Sequence, residues 1–259
     1  MRPEADNLMK VTVIDQMGRS VEVSQCPKRI ISLVPSQTEL LLDLGVNVVG
    51  RTKFCTHPKE RLESIPIIGG TKKFRFDEIR ALNPDLIIGN KEENYEEGIV
   101  ELSNKYPVWM SDITTIQDAI EMIRKISDLC GVSARGNSMS LQIERELELV
   151  KDKFSGSVLY LIWKNPWMAV GTGTFINSIL THLGFDNVIT ANRYPELTDE
   201  QINDFRPDYV FFSSEPYPFK ENDLLQDWSS KNIIVDGEMF SWYGSRILKA
   251  VEYFRSFVI

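Results

Sequence analysis

The chain has 259 residues, and its 42% hydrophobic and 25% charged fractions are those of an ordinary globular protein. A formal net charge of −8 argues against a general nucleic-acid binder, because such a protein needs a basic surface to neutralise phosphates. At about 150 residues per domain, the length exceeds one domain and falls a little short of two.

Neither a transmembrane helix nor a signal peptide is predicted from the residues given. There is no apolar run of about 18 residues, and the first ten residues, MRPEADNLMK, contain no apolar core. Two alternatives remain: a leader has been removed, or the protein is cytoplasmic. The cysteines, Cys26, Cys55 and Cys130, lack CxxC spacing, so neither a zinc ribbon nor a dithiol redox centre is expected.

The first half is predicted to begin with a β-hairpin and to continue as alternating strands and helices. Residues 10–24 alternate apolar and polar around Met17 and Gly18, as a hairpin does. The helix after the strand IISLV is predicted to have Ser36 as its N-cap and Glu39 at the capping-box spacing. Strands that alternate with helices are typical of βαβ units in a parallel sheet. The predicted strands are residues 30–34, 46–50, 65–69, 85–89 and 106–111, and the predicted helices are residues 36–45, 76–83, 94–105 and 115–130.

One uninterrupted helical pattern follows between Gly131 and Gly156. Ser133 can cap it, and about 21 residues at 1.5 Å each would extend about 31 Å, the width of a small lobe. We therefore expect a rigid helical connector. Beyond it the predicted elements are strand 157–163, loop 164–173, helix 174–183, strand 187–190, helix 198–205, strand 208–213, helix 221–230, strand 232–236 and helix 244–257.

Two pairs of segments recur in the same order in the two halves. FDEIRALNPDLIIGN at 76–90 returns in outline as TDEQINDFRPDYVFFSS at 198–214, and SQTELLLDLGVNVVG at 36–50 as FINSILTHLGFDNVI at 175–189. The repeat predicts an α/β fold of two similar lobes, each a parallel-sheet sandwich, joined by one long backbone helix. The predicted boundaries are residues 1–132 for the first lobe, 133–155 for the helix and 156–259 for the second lobe.

This order of segments resembles the substrate-binding proteins of ABC importers, in the class that binds vitamin B12 and ferric siderophores. The resemblance covers residues 10–258 and is carried by VTVIDQMGRSVEV, PKRIISLVPSQTELLLDLG, the glycine pair at 69–70, FDEIRALNPDLII and FSWYGSRI at 240–247. It implies a monomeric, non-enzymatic protein without a cofactor of its own, which captures a metal chelate in the interlobe cleft and delivers it to a permease dimer. The implied ligand is a cobalamin or other corrinoid, a ferric siderophore or haem.

The resemblance also bears on where the protein acts. It implies a periplasmic or lipid-anchored protein outside the inner membrane if a leader was removed, and a cytoplasmic one if Met1 is native. The alternative function is a cytoplasmic two-lobed protein that handles tetrapyrroles or corrinoids, such as a chelatase-like enzyme. A domain that senses a ligand for a partner protein is a third interpretation.

Aromatic residues cluster in loops predicted at the carboxyl ends of strands, where open α/β sheets bind ligands. Aromatic walls with a few polar anchors suit a large, mostly apolar ligand. Tyr194 corresponds, through the resemblance, to an aromatic that walls the ligand in the B12 binders, whereas Thr71 replaces one of their tryptophans. The candidate ligand-binding residues are Ser36, Phe54, Trp163, Trp167, Tyr194, Phe240, Trp242 and Arg246.

Two acids occupy matching places in the repeat. Asp77 and Glu200 each precede a proline by seven residues and fall in the first turn of a predicted helix, where the helix dipole favours a carboxylate. In the proteins that the chain resembles, an acid at this place on each lobe meets arginines of the permease. We therefore predict that Asp77 and Glu200 dock the permease, although Asp77 is one methylene shorter than the usual glutamate.

Metal and nucleotide sites are weakly indicated. His57 could reach a chelated metal, but a single loop histidine is more often a surface hydrogen-bonding group, and His182 is expected to be structural. The two histidines form no cluster with acids at ligand spacing, so no metal site of the protein's own is predicted. Hydroxamate and catechol siderophores would need arginine anchors, which Arg51, Arg193 and Arg246 could supply, so a siderophore stays among the alternative ligands. The glycine pairs match neither a dinucleotide fingerprint nor a P-loop.

Overall fold

The computed structural model describes residues 10–225 and 229–259, which divide into two compact units. The first unit contains the described residues up to Asp112 together with Ile120–Leu141. The second contains Ile113–Ala119 and Gln142–Ile259. Among the described helices, none is both long and apolar enough to cross a membrane.

The first unit is built on a four-stranded parallel sheet. Its strands are near-continuous apolar runs buried on both faces, as expected when helices cover a parallel sheet. Along the chain its elements are β1 (Lys10–Ile14), β2 (Ser20–Ser24), β3 (Ile30–Ser32), α1 (Pro35–Asp43), β4 (Val48–Arg51), α2 (Lys59–Leu62), β5 (Gly69–Gly70), β6 (Lys73–Phe74), α3 (Phe76–Leu82), β7 (Leu86–Asn90), α4 (Glu96–Ser103), β8 (Val108–Ser111), and parts of α5 (Ile116–Leu129) and α6 (Ser133–Glu148). The sheet order is β4-β3-β7-β8, while β1–β2 and β5–β6 are separate antiparallel hairpins.

The second unit has a mixed sheet. Its further elements are β9 (Ser157–Trp163), β10 (Trp167–Ala169), α7 (Phe175–His182), β11 (Asp186–Asn187), β12 (Glu196–Leu197), α8 (Asp199–Asp204), β13 (Tyr209–Ser213), a 3-10 turn at Glu221–Asp223, β14 (Lys231–Val235), α9 (Gly237–Ser241) and α10 (Arg246–Ser256). The order is β12-β10-β9-β13-β14, with β11 also paired to β9. Strands β11, β9, β13 and β14 are parallel, whereas β10 and β12 add antiparallel pairs.

The predicted repeat is visible in the strand order. In the first unit the central strand β3 lies between β4 and β7, followed by β8. In the second, β9 pairs with β11 and β13, followed by β14. Each repeated segment folds as a helix and a strand: α1 with β4, α7 with β11, α3 with β7, and α8 with β13. The α/β class with two similar lobes is confirmed.

Several predicted boundaries were wrong. Helix α1 begins at Pro35 after an N-cap at Val34, so Ser36 is not its cap. Proline suits this first helical position because its missing N–H would have had no intrahelical partner. The strand predicted at residues 65–69 forms only a single parallel bridge, between Ile67 and Arg51, and its last residue, Gly69, belongs to β5. Pro66 has no N–H to donate to a ladder. The connector helix ends at Glu148 rather than 155, because Asp152 adopts a left-handed φ of 51° that a helix does not accommodate.

Other corrections concern the second half. The segment 164–173, predicted as a loop, contains β10. The helix predicted at residues 221–230 is a single 3-10 turn at Glu221–Asp223, and its residues 226–228 lie outside the described chain. The last predicted helix, residues 244–257, corresponds to α10, whereas α9 before it was not predicted and ends at an extended residue, Trp242. The lobe boundaries at residues 132 and 155 stay predictions.

Candidate functional site

The carboxyl edge of the first sheet carries the start of α1. Ser36, a predicted ligand contact, lies in the first turn of this helix and is buried. That turn has no acidic side chain and no side-chain cap among the described residues. The partial positive charge that helix N–H groups create is therefore not offset by a carboxylate of the turn itself.

A buried polar network supports this edge. The Thr38 hydroxyl donates to Ser32 Oγ at 2.8 Å and lies 3.1 Å from the Cys55 sulfur. Burial raises the pKa of the Cys55 thiol, although the hydroxyls of Thr38 and Thr52 partly oppose this. Cys55 is therefore a protonated, structural thiol at neutral pH.

Phe54 is the exposed aromatic residue of this edge, with 49% of its surface accessible. The Lys53 ammonium lies 4.9 Å from the centroid of its ring, within cation–π range. A Cβ at Gly70 would lie 3.2 Å from Phe54 Cε2, so the small residue lets the ring pack against the β5–β6 hairpin. The Asn94 amide donates to the carbonyls of Leu33 and Thr71, which ties this hairpin to the end of β3.

Arg51 is the last residue of β4, and His57 lies in the loop that follows. The Arg51 guanidinium donates to the carbonyl groups of Leu62, Thr52 and Cys55 and so holds the loop that includes His57. His57 is half-buried in that loop. Within residues 10–225 and 229–259, no three His, Cys, Asp or Glu side chains are arranged to hold a metal ion.

The carboxyl edge of the second sheet carries Trp163 and Trp167, which have different surroundings. Trp163 is 39% exposed and meets the Tyr217 ring edge-on, with centroids 5.6 Å apart. Trp167 is 8% exposed, stacks on Phe219 and donates its indole N–H to Asp199 at 2.8 Å. Trp167 belongs to the core cluster of this unit, so the structure favours Trp163 as the surface aromatic.

Phe240 is fully buried, and its ring packs against those of Tyr160, Phe211 and Phe254. It lies beneath the surface as a support and is not among the residues that we propose to contact a ligand. Tyr194 is half-buried, and the Arg193 guanidinium lies 5.8 Å from its ring centroid.

Trp242, Arg246 and two acids form one cluster after β13 and β14. The Trp242 indole N–H donates to Glu215 Oε1 at 3.0 Å, and the Arg246 guanidinium lies 4.9 Å from the Trp242 ring. Arg246 is 3% exposed and its Nη1 is 3.2 Å from Glu238 Oε2. Arg246 is thus an internal ion-pair partner that orders Trp242. Sequence reasoning missed Glu215, because 27 residues separate it from Trp242 and no local pattern links them.

The two predicted docking acids lie in the first turns of α3 and α8. The Asp77 side chain is 92% exposed and forms an ion pair of 3.1 Å with Arg80 on its own helix. Glu200 is exposed, and its helix is capped by Thr198, whose side chain accepts from the Gln201 N–H. Because Thr198 already supplies the cap of α8, the need for a cap does not explain why an acid stands at position 200.

Known proteins share this architecture and sequence. A Bacillus subtilis ABC transporter substrate-binding lipoprotein is 24% identical over 93% of this chain and 83% of its own length. A probable siderophore-binding lipoprotein of the same organism is 26% identical over 83% of this chain and 67% of its own. The crystal structure of a periplasmic vitamin B12-binding protein of Vibrio cholerae superposes with a TM-score of 0.77 at 19% identity, over 88% of this chain and 95% of that one.

The sequence also matches a family model, described as periplasmic binding protein, over residues 30–232. That match begins at β3, ends within β14 and includes most of the candidate site. It gives no support to a chelatase-like enzyme, and the expectation of a non-enzymatic protein is confirmed. The chain belongs to the periplasmic binding protein family.

Proposed function

We propose that this chain is the substrate-binding component of an ABC importer, which captures a metal chelate and delivers it to a permease dimer. The observation that carries the proposal is the matched placement of Asp77 and Glu200. Each is an exposed acid in the first turn of a helix, and the two helices lead into equivalent strands, β7 and β13. A permease dimer with two-fold symmetry would present the same basic surface twice. Charge complementarity with the two acids would then fix how the dimer is oriented on this chain.

The ligand is proposed to be a corrinoid, a ferric siderophore or haem. Such molecules are large and have broad apolar faces, which accessible aromatic side chains can cover. In the second unit Trp163, Tyr194 and Trp242 supply such side chains, and in the first unit Phe54 supplies one, each considered within its own unit. Ligands of open α/β sheets bind at the carboxyl ends of the strands. No cofactor is required for this role. The relatives support a site of action outside the inner membrane, either in the periplasm or through a lipid anchor.

A ligand titration tests the proposal. Purified protein would be titrated with cyanocobalamin, haemin, a ferric tris-catecholate and a ferric trihydroxamate, with tryptophan fluorescence and melting temperature as readouts. One class is expected to quench fluorescence at micromolar concentration and to stabilise the fold by about 2.7 kcal/mol at 100 times its Kd. The matched control is each iron-free siderophore or metal-free porphyrin. The proposal fails if none of the four chelates changes either readout.

A further inference from the structure

Glu215 connects two parts of the second unit at the carboxyl edge of its sheet. It follows the end of β13 by two residues, and its Oε1 accepts hydrogen bonds from the Trp242 indole at 3.0 Å and the Ser241 hydroxyl at 3.1 Å. Both donors belong to the end of α9. A single carboxylate oxygen therefore fixes the indole relative to the strand end.

The backbone around Glu215 is held as closely as its side chain. The Ser213 hydroxyl donates to the Glu215 carbonyl at 2.6 Å, and Gly237 N–H donates to Ser214 Oγ at 3.0 Å. A Cβ at Gly237 would overlap Ser213 Oγ and would lie 2.7 Å from Glu215 Cγ. The absence of a side chain at Gly237 lets the Glu215 side chain pass along the start of α9.

Charged and titratable groups face Glu215 from each of the elements packed around it. Asp236 follows β14, Glu238 lies on α9, and Arg246 on α10 pairs with Glu238. On β9, the Tyr160 hydroxyl bonds to Ser213 Oγ at 3.3 Å. Burial raises the pKa of Glu215, and the nearby carboxylates of Glu238 and Asp236 raise it further, while bonds from Ser241 and Trp242 oppose the change.

Two groups hold Trp242 at different points. The indole is held at its N–H by a carboxylate and at its ring by the Arg246 guanidinium, 4.9 Å from the ring centroid. An aromatic wall that is ordered before the ligand arrives loses less conformational freedom on binding.

We propose that Glu215 is a positioning residue for ligand recognition, which holds the Trp242 indole in one orientation so that it meets the chelate as an ordered wall. The inference rests on the proposed function for the identity of the ligand, but the bond between Glu215 and Trp242 can be tested without any ligand. Glutamine at position 215 keeps an acceptor oxygen and should preserve the orientation, whereas leucine removes it.

The first experiment uses the ligand-free protein. The indole N–H resonance of Trp242 would be assigned with Trp242→Phe and followed by ¹H–¹⁵N spectra from pH 4 to 8. In the wild type this resonance is expected to shift with pH, with a titration midpoint above the usual pKa range of a glutamate. The shift should vanish in Glu215→Gln and persist in Glu252→Gln, a change at an exposed carboxylate of α10. The proposal is wrong if the resonance does not shift with pH and is unchanged by Glu215→Leu.

The second experiment measures affinity for cyanocobalamin. Glu215→Leu is expected to weaken binding at least 10-fold, and Glu215→Gln less than 3-fold, with both variants folded by circular dichroism. If the wild type and both variants bind cyanocobalamin with equal affinity, Glu215 has no role in ligand recognition. If the wild type does not bind cyanocobalamin but the resonance behaves as expected, the corrinoid function fails while the hold on Trp242 stands. If the wild type binds cyanocobalamin but the Trp242 resonance is unchanged by substitution of Glu215, the proposed function stands and only the positioning role is wrong.

Discussion

Individual residues show why burial, rather than residue type, separates ligand contacts from core. Trp163 and Trp167 lie in neighbouring strands of one hairpin, in which Met168 pairs with Trp163. The alternation of faces along β10 turns Trp167 inward, toward Phe219. The sequence could not separate the two tryptophans because β10 was itself not predicted.

We predict opposite effects of two alanine substitutions. Trp167→Ala should destabilise the fold by about 3–5 kcal/mol, because it empties a packed site in the core and leaves Asp199 without the indole donor. Trp163→Ala should change stability little but weaken chelate binding by about 1–3 kcal/mol, as expected for an exposed aromatic contact. Urea unfolding and fluorescence titration measure both. If Trp163→Ala binds as the wild type does, Trp163 is not a ligand contact.

At the scale of elements, long periodic segments were predictable and short ones were not. Helices α3, α5 and α7 and strands β7, β9 and β13 lie within a few residues of their predicted bounds, because their apolar patterns are long enough to fix the element type. Strands β5, β10 and β12 have only two or three residues, too few for a pattern of alternation, and β12 forms by pairing with β10, from which it is remote in sequence. Likewise, Glu215 meets Trp242 only in the folded unit.

Helix α5 begins with a capping arrangement whose strength should depend on pH. Asp118 Oδ2 accepts from the N–H groups of Thr114 and Thr115 and from the Thr114 hydroxyl, while the Thr115 hydroxyl accepts from Asp118 N–H. Burial alone would raise the pKa of Asp118, but these hydrogen bonds outweigh it and lower the pKa. The carboxylate therefore adds stability above its unfolded pKa, and this stability disappears as pH falls through the lower, folded pKa.

Asp118→Asn should therefore lower the free energy of unfolding by about 0.5–1 kcal/mol at pH 7. Because the wild-type carboxylate is neutralised in strong acid, the difference should shrink toward zero there. Thermal melts between pH 3 and pH 7 measure it. Asp128→Asn, an exposed change near the other end of α5, is the control and should show no such loss at pH 7. An equal loss for Asp118→Asn at all pH values would contradict a charge effect.

At the scale of the whole molecule, the parallel strands of the two units have the same order, and the two acids occupy the same place in it. This was the part of the function most accessible from sequence, because a repeat preserves spacing even where residue identities differ. The ligand was least accessible, since its contacts depend on loops whose side chains are oriented by tertiary packing.

We predict that Asp77→Ala combined with Glu200→Ala abolishes ligand uptake or complex formation with the permease, while chelate affinity stays unchanged. The double variant should lose more than either single one, because each acid can retain the partner while the other rebinds. Reconstituted transport and ligand titration measure this. Glu78→Ala combined with Asp204→Ala is the matched control, since it removes the same charge from the same two helices. Normal transport by the Asp77 and Glu200 double variant, with an earlier melt, would make both acids helix-stabilising groups only.

The way in which the two units share the chain has a consequence for biosynthesis. Ile113–Ala119 belongs to the second unit, whereas Ile120–Leu141, which follows it, belongs to the first. The ribosome therefore makes a piece of the second unit before the first is complete. The first unit can finish folding only when Leu141 has emerged, while the early piece waits for partners beginning at Gln142. Because the units are interleaved, no single cut in the gene separates them into two complete halves.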